Sequence, residues 1–346
     1  MTELLEKEKE VKELLQTQGA MKLDVLMQRS LEMYNRSHDY TITKANNENL
    51  RLNEARGLTF ISDDGGKNIY PVSKYALGQL GAKIGVPVNY LDKCVASGRI
   101  ELAQQNVNSW LEDYNKGLFI RECAGEIRGI LSTKYAVCDT HEILEVLEQK
   151  LDLSTFNIKG YFLSPERFHL RLVQKERMKV DNEDLFAGVI IDSSDVGRST
   201  LDVRFLVFKQ VCTNGLIVSQ NSSSLFKQKH IGITAEDFSS GFSKSIEILP
   251  EIVAEVTKRI EATRSVKLDK KFSKLSDEEM ENLIKQIKEE TKLSEANAKK
   301  VIEIMQAKRY DISQWGYINA LTDVAKGLTL ESRLELEKYA GTLLVA

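Results

Sequence analysis

Long apolar runs are missing from this chain of 346 residues, and no stretch reaches the length that a bilayer crossing needs. The opening TELLEKEKEVKELL lacks the basic-then-apolar layout of a secretory signal, so the expected location is the cytoplasm. Cysteine is scarce: Cys94, Cys123, Cys138 and Cys212 are scattered, which argues against a disulfide framework. Cys138-x-x-His141 is the one close pair of metal-ligand types, and zinc needs a second pair that is not there. The four histidines (38, 141, 169 and 230) are too dispersed to suggest a triad, and there is no G-x-S-x-G. Gly65-Gly66-Lys67 lacks the earlier glycine and the Ser/Thr of a P-loop. The sequence therefore calls for no metal and no cofactor, and nothing in it points to an enzyme. The net charge of −3 also removes any global attraction for polyanions, leaving only local basic patches to supply one. What is present, 42% hydrophobic and 29% charged residues, fits a globular chain with a sizeable core.

The stretch GLFIRECAGEIRGIL, residues 117–131, reads as a β-hairpin turning at Ala124-Gly125. With that turn as the loop, Cys123 faces Glu126 and Arg121 faces Arg128. Alternation puts Phe119, Arg121, Cys123, Glu126, Arg128 and Ile130 on one face and Leu118, Ile120, Ile127 and Leu131 on a core face. Two arginines held opposite each other repel, so an anion is expected between or over them, either a carboxylate of the chain or a ligand phosphate.

Residues 3–16 space Leu4, Leu5, Val11, Leu14 and Leu15 along a charged helix, and Lys22 to Tyr34 gives a second helical run. Together they form an N-terminal arm, with self-association as its sharper reading. Residues 35–56 are polar and read as a connecting segment. Leu58–Ile61 and Ile69–Val72 are strands around a turn at residues 63–67. Ser73 caps a helix ending at Gly85, and Pro87 opens another. The pair has helix-turn-helix spacing but few donors for bases, so it reads as packed helices. In the next helix Leu102, Val107, Trp110 and Leu111 are expected inward. After the hairpin come a helix from Thr140 to Leu151 and strands over Thr155–Leu163, Phe168–Val173, Leu185–Asp192 and Leu201–Val211. His169 and Arg171 share a face of one strand with Val173, and Asp202 and Arg204 share a face of another with Leu206 and Phe208. An Asn214-Gly215 turn ends the last strand, and Thr234 caps a long helix. The window Lys258–Lys274 sets seven Lys and Arg against two acids. Helix starts follow at Ser276, Ser294, Ser313 and Thr329. Strands in sequence with short connections imply an α+β fold: an antiparallel sheet flanked by helices, with a helical N-terminal arm and a helical C-terminal region. The expected divisions are 1–50, 51–265 and 266–346.

Basic residues on the strands and their loops, interleaved with aromatics, suggest a single-stranded nucleic-acid groove. Arg121, Arg128, Lys134 and Tyr135 would line it, with Arg171, Arg204, Lys227, Lys229 and His230 adding phosphate contacts. Two other readings stand beside this one. A protein-binding module acting on a host factor would use the N-terminal arm and C-terminal helices, with Arg121 and Arg128 satisfied by carboxylates of the chain. A magnesium-dependent nuclease would use Asp192, Asp195 and Asp202.

The pieces ALGQLGAKIGVPVNYLDKC, NSWL, LFIRECAGEIRGILSTKYAVCD, VCTNGL, Lys229-His230 and QWGYINALTDVAKG stand in one order over roughly residues 55–345. In that order they resemble the phage- and plasmid-borne proteins grouped as domain of unknown function 932. The resemblance implies a mobile element, a replication or recombination setting and, if phage-encoded, the cytoplasm of a host cell. The order of hairpin, sheet and long helix is also similar to the single-strand annealing proteins of phages, which implies an oligomer that binds single-stranded DNA.

Overall fold

The computed structural model describes residues 23–343 except 54–55, 181–182, 210–213, 219–225, 229–234, 248–250, 252–257, 259–261, 263–275, 292 and 308–312. The amphipathic residues 3–16, the expected contacts Lys229 and His230, and most of the basic window therefore lie outside the described residues. Lys227 is described and is exposed.

The architecture is α+β, with antiparallel sheets and helical N- and C-terminal regions. Two apolar cores organise it. The smaller gathers buried residues between Ile42 and Ile130. Here β1 (Ser37–Ile42), β5 (Leu118–Cys123) and β6 (Glu126–Leu131) form one three-stranded sheet. A second sheet joins β2 (Leu50–Leu52), β3 (Gly57–Ile61) and β4 (Lys67–Pro71). Against them pack α2 (Lys74–Ile84), α3 (Val88–Ala96) and α4 (Ile100–Trp110). Ser73 accepts a hydrogen bond from the Ala76 amide, and Gly85 closes α2 at φ 87°, as the sequence suggested. A Cβ at Gly81 would lie 2.9 Å from the Val86 carbonyl oxygen, so only glycine lets α2 and α3 meet this closely.

The larger core gathers Leu26 of α1 (Leu23–Asn35), the helix α5 (Thr140–Lys150) and a sheet of order β11-β10-β9-β8-β7 with β12 beside β10. Its strands are β7 (Phe156–Ser164), β8 (Arg167–Val180), β9 (Glu183–Ser193), β10 (Leu201–Lys209), β11 (Asn214–Val218) and β12 (Phe226–Gln228). Along β8, Phe168, Leu170 and Leu172 are buried in this core, each worth about 1.5–3 kcal/mol of burial. The chain continues through α6 (Ala235–Glu247), α7 (Asp277–Thr291), α8 (Glu295–Gln306), α9 (Gln314–Ala325) and α10 (Leu330–Thr342). Ser294, Ser313 and Thr329 cap the last three through their side chains. Leu283, Val301, Ile318 and Leu336 of these helices share the larger core with the sheet, so the C-terminal region is built into the sheet.

Three expectations change. Asn214 and Gly215, read as the turn that ends the long strand, begin β11 and pair with Lys209 and Phe208 of β10. The segment 35–56, read as a connection, supplies β1 and β2. In α4 the buried side is Ala103 and Val107, continuing to Leu111, while Leu102 and Trp110 are exposed. They stand one position off the i, i+4, i+8 row that faces the core.

Candidate functional site

The hairpin forms with its turn at Ala124 (φ 54°) and Gly125 (φ 88°), two left-handed residues that match strand twist. Cys123 pairs with Glu126 as expected, but a bulge between Arg121 and Glu122 shifts the register, and Arg121 pairs with Gly129. The bulge also moves Ile130 to the core face, opposite Ile120. Across the other edge of β5, Asp39 of β1 stands opposite Arg121.

That strand supplies one carboxylate, and two loops supply the others. Arg121 is 1% exposed. Its Nε donates to Asp39 Oδ1 at 2.8 Å, its Nη1 to the Asp195 carbonyl at 2.9 Å and its Nη2 to Asp139 Oδ2 at 3.2 Å. Arg128 is 3% exposed and donates to the Pro165 carbonyl at 3.0 Å and to Asp195 Oδ2 at 3.3 Å. Thr140 donates to Asp195 Oδ1. Asp195 reaches this position because Gly129 has no side chain: a Cβ there would come within 2.7 Å of Val196. Burial alone would lower the Arg121 pKa, but Asp139, Asp39 and Asp195 outweigh it and raise the value. Burial pushes Asp139 up, with the two guanidiniums opposing. The anion that the paired arginines required comes from the chain itself. Neither is available to an external phosphate, which corrects their expected role as groove-lining contacts. Between α1 and the start of α5, a hollow of about 10 Å³ beside Arg128 and His141 has room for one water and no substrate.

A second cluster sits on the face of the large sheet opposite the main core. Across β8, β9 and β10, His169, Asp192 and Asp202 form one row. Arg171 and Arg204 flank Ile190 in the next. The sequence paired His169 with Arg171 and Asp202 with Arg204 strand by strand; the register brings both pairs to one face, and that face is closed. Glu337 of α10, 1% exposed, takes both ends of Arg171 at 3.1 and 2.7 Å and also accepts from Arg333 at 2.8 Å. Arg204 pairs with Asp192 and Asp202. Arg171 Nε donates to His169 Nε2 at 3.1 Å, so the ring proton is on Nδ1, which donates to Asp192 at 2.8 Å. Burial, followed by Arg171, Arg204 and Arg167, holds the His169 pKa well below its ordinary value. Burial and then Arg171 lower Arg204 to about 10. Arg171 and Arg204, expected as phosphate contacts, are therefore internal partners.

The three aspartates of the nuclease reading are divided between these clusters. Asp192 is held by His169, Arg167 and Arg204, and Asp195 by Arg128 and Thr140. Among the described residues no group of three or more His, Cys, Asp or Glu is placed to hold a metal.

Outward-facing chemistry gathers where the two cores meet. Loop 194–198 touches the Tyr135 ring at Gly197, while Gln79 of α2 donates to the Val196 carbonyl. Tyr135 donates to the Ser194 carbonyl at 3.0 Å, and Lys134 beside it is exposed. Arg198, whose side chain is 47% exposed, stands 5.5 Å over the Tyr75 ring and pairs with Glu166. Tyr75 was not among the expected site residues, and Arg198 was counted among the basic residues on strands and loops without being given a contact. The family model for the Domain of unknown function (DUF932) matches residues 128–329, more than half of the chain.

The chain belongs to the DUF932 family.

The DUF932 match begins at Arg128 and ends at Thr329. It therefore includes Asp139, Asp195 and most of the sheet cluster but not Asp39, Arg121 or Glu337. No curated protein and no solved structure matches the chain. Among the described residues no helix is long and apolar enough to cross a membrane.

Proposed function

We propose that this DUF932 protein is a non-enzymatic binding protein of a phage or mobile element. It acts in the cytoplasm as an oligomer, and its ligand is single-stranded nucleic acid. The observation that carries this reading is the junction rim, where an exposed guanidinium lies over Tyr75 beside the Lys134-Tyr135 turn. Cations beside aromatic faces suit a flexible strand, because phosphates bind the charge and bases stack on the rings. Lys227 stands at the same end of the sheet, opposite Asp202. The binding set thus keeps Lys134, Tyr135 and Lys227, adds Arg198 and Tyr75, and gives up the buried arginines. The test is titration of a labelled oligonucleotide at several salt concentrations against the triple variant Lys134→Ala, Arg198→Ala, Lys227→Ala. The salt slope should fall by about 2, roughly 0.7 for each phosphate that is no longer neutralised. An unchanged slope and affinity would remove the rim as the site.

The clasp on Arg121 and Arg128 is also the condition expected of a module that binds a host protein. One further observation favours that second reading. Trp110, 53% exposed, lies over Gly85, whose added Cβ would meet the indole at 3.4 Å. An exposed tryptophan on a rigid helix is a strong anchor for a protein partner. A host factor that co-purifies after nuclease treatment, and is lost with Trp110→Ser, would decide for this reading. Loss of every partner on nuclease treatment would decide against it.

A further inference from the structure

We propose that α10 is a displaceable cover over a second polyanion-binding face of the large sheet, with Glu337 standing where a phosphate would sit. This rests on the reading that the chain binds single-stranded nucleic acid, and it adds a site and its regulation to that reading. The two Glu337 oxygens meet Arg171 in the parallel, two-bond fork that a phosphate also adopts. Arg204 lies in the same row two strands away, and Arg167 stands two residues before His169 on β8. The buried face leads to exposed cations at one end of the sheet, because Arg198 follows the end of β9 and Lys227 pairs beside the start of β10. A strand bound at the rim would therefore reach the covered guanidiniums without leaving the sheet.

The cover is held on two sides, by Leu336 and Ala340 in the main core and more thinly over the polar face of the sheet. On this face its apolar anchor is Leu334, packed with Val173, Ile190 and Leu206. In α9, ten of twelve residues are buried. Among the described side chains of α10, only Leu334, Leu336, Glu337, Ala340 and Gly341 are. A helix held over the sheet by one apolar residue and one ion pair is the kind of contact that opens locally while the rest stays folded. Displacement exchanges one carboxylate for a chain of phosphates, and the arginines stay paired throughout.

The experiment uses the full chain and a labelled oligothymidylate at two salt concentrations, with hydrogen exchange read along α10. Glu337→Gln should tighten binding about tenfold and steepen the salt slope, because Arg171 no longer has its internal anion. Adding Arg171→Gln to that variant should cancel the gain. In the parent, saturating oligonucleotide should speed exchange of the α10 amides. A folded Glu337→Gln protein with parental affinity and slope overturns the cover and leaves the rim reading standing. So does a gain that survives Arg171→Gln. If Glu337→Gln does not fold, the exchange measurement on the parent decides: unchanged or slower exchange in α10 overturns the proposal. If neither protein binds the oligonucleotide, both the cover and the nucleic-acid reading fall.

Discussion

The hairpin cluster and the sheet cluster use the same residue types and arrive at opposite balances. Around the hairpin, Asp39, Asp139 and Asp195 surround Arg121 and Arg128, so carboxylates outnumber guanidiniums. Under α10, among the described residues, the ion pairs join Arg167, Arg171, Arg204 and Arg333 to Asp192, Asp202 and Glu337, four guanidiniums on three carboxylates. The first cluster joins the two cores: Asp39 and both arginines come from the smaller sheet, Asp139 from the start of α5 and Asp195 from the loop after β9. The second is completed by a helix that is 166 residues from Arg171 in the chain. What separates a scaffold from a candidate binding face is therefore the source and surplus of charge, not the number of arginines.

The largest expected effect breaks the hairpin side of that comparison. Arg121→Ala leaves the buried Asp139 beside the buried Asp195 with one guanidinium gone, while Asp39, a third exposed, can turn to water. Removing one partner of a buried ion pair costs about 3–5 kcal/mol. Arg198→Ala, which removes a partly exposed pair with Glu166, should cost less than about 1 kcal/mol. Urea unfolding midpoints of the two variants measure the contrast. A loss below about 1 kcal/mol for Arg121→Ala would mean that the cluster does not hold the cores together.

Much of the secondary structure was legible because its signals are local. Ser73 and Gly85 bracket α2, Ala124-Gly125 turns the hairpin, and Phe168, Leu170 and Leu172 mark the core face of β8. The need for an anion near Arg121 was legible too, since like charges on adjacent strands cannot stand alone. Its source was not. Asp39 belongs to Ser37–Ile42, whose polar first half hides a strand, and it lies 82 residues from Arg121. The bulge after Arg121 cannot be read from alternation, which assumes a regular pleat. Nor does the sequence show that the polar face of β8 and β10 is closed by Glu337, because no local pattern pairs residues so far apart. Charge position was readable and charge neutralisation was not, which is why the proposed nucleic-acid site moves from the hairpin arginines to the rim.

A smaller effect sharpens the sheet side. His169 is neutral, fixed between Asp192 and Arg171, and its folded pKa lies well below the value near 6.5 expected in the unfolded chain. The unfolded state therefore binds the extra proton as pH falls below about 6.5, while the folded state refuses it. This group's contribution to stability is complete above that pH and is lost on acidification. Between pH 7.5 and 5.5 the loss should reach about 1.4 kcal/mol. Denaturation curves at pH 7.5, 6.5 and 5.5, compared with His169→Gln, separate this contribution from that of the other three histidines. The parent should lose about 1.4 kcal/mol more than the variant. Equal slopes would mean that the ring is not locked in its neutral form, and that the sheet face is more open than its burial under α10 implies.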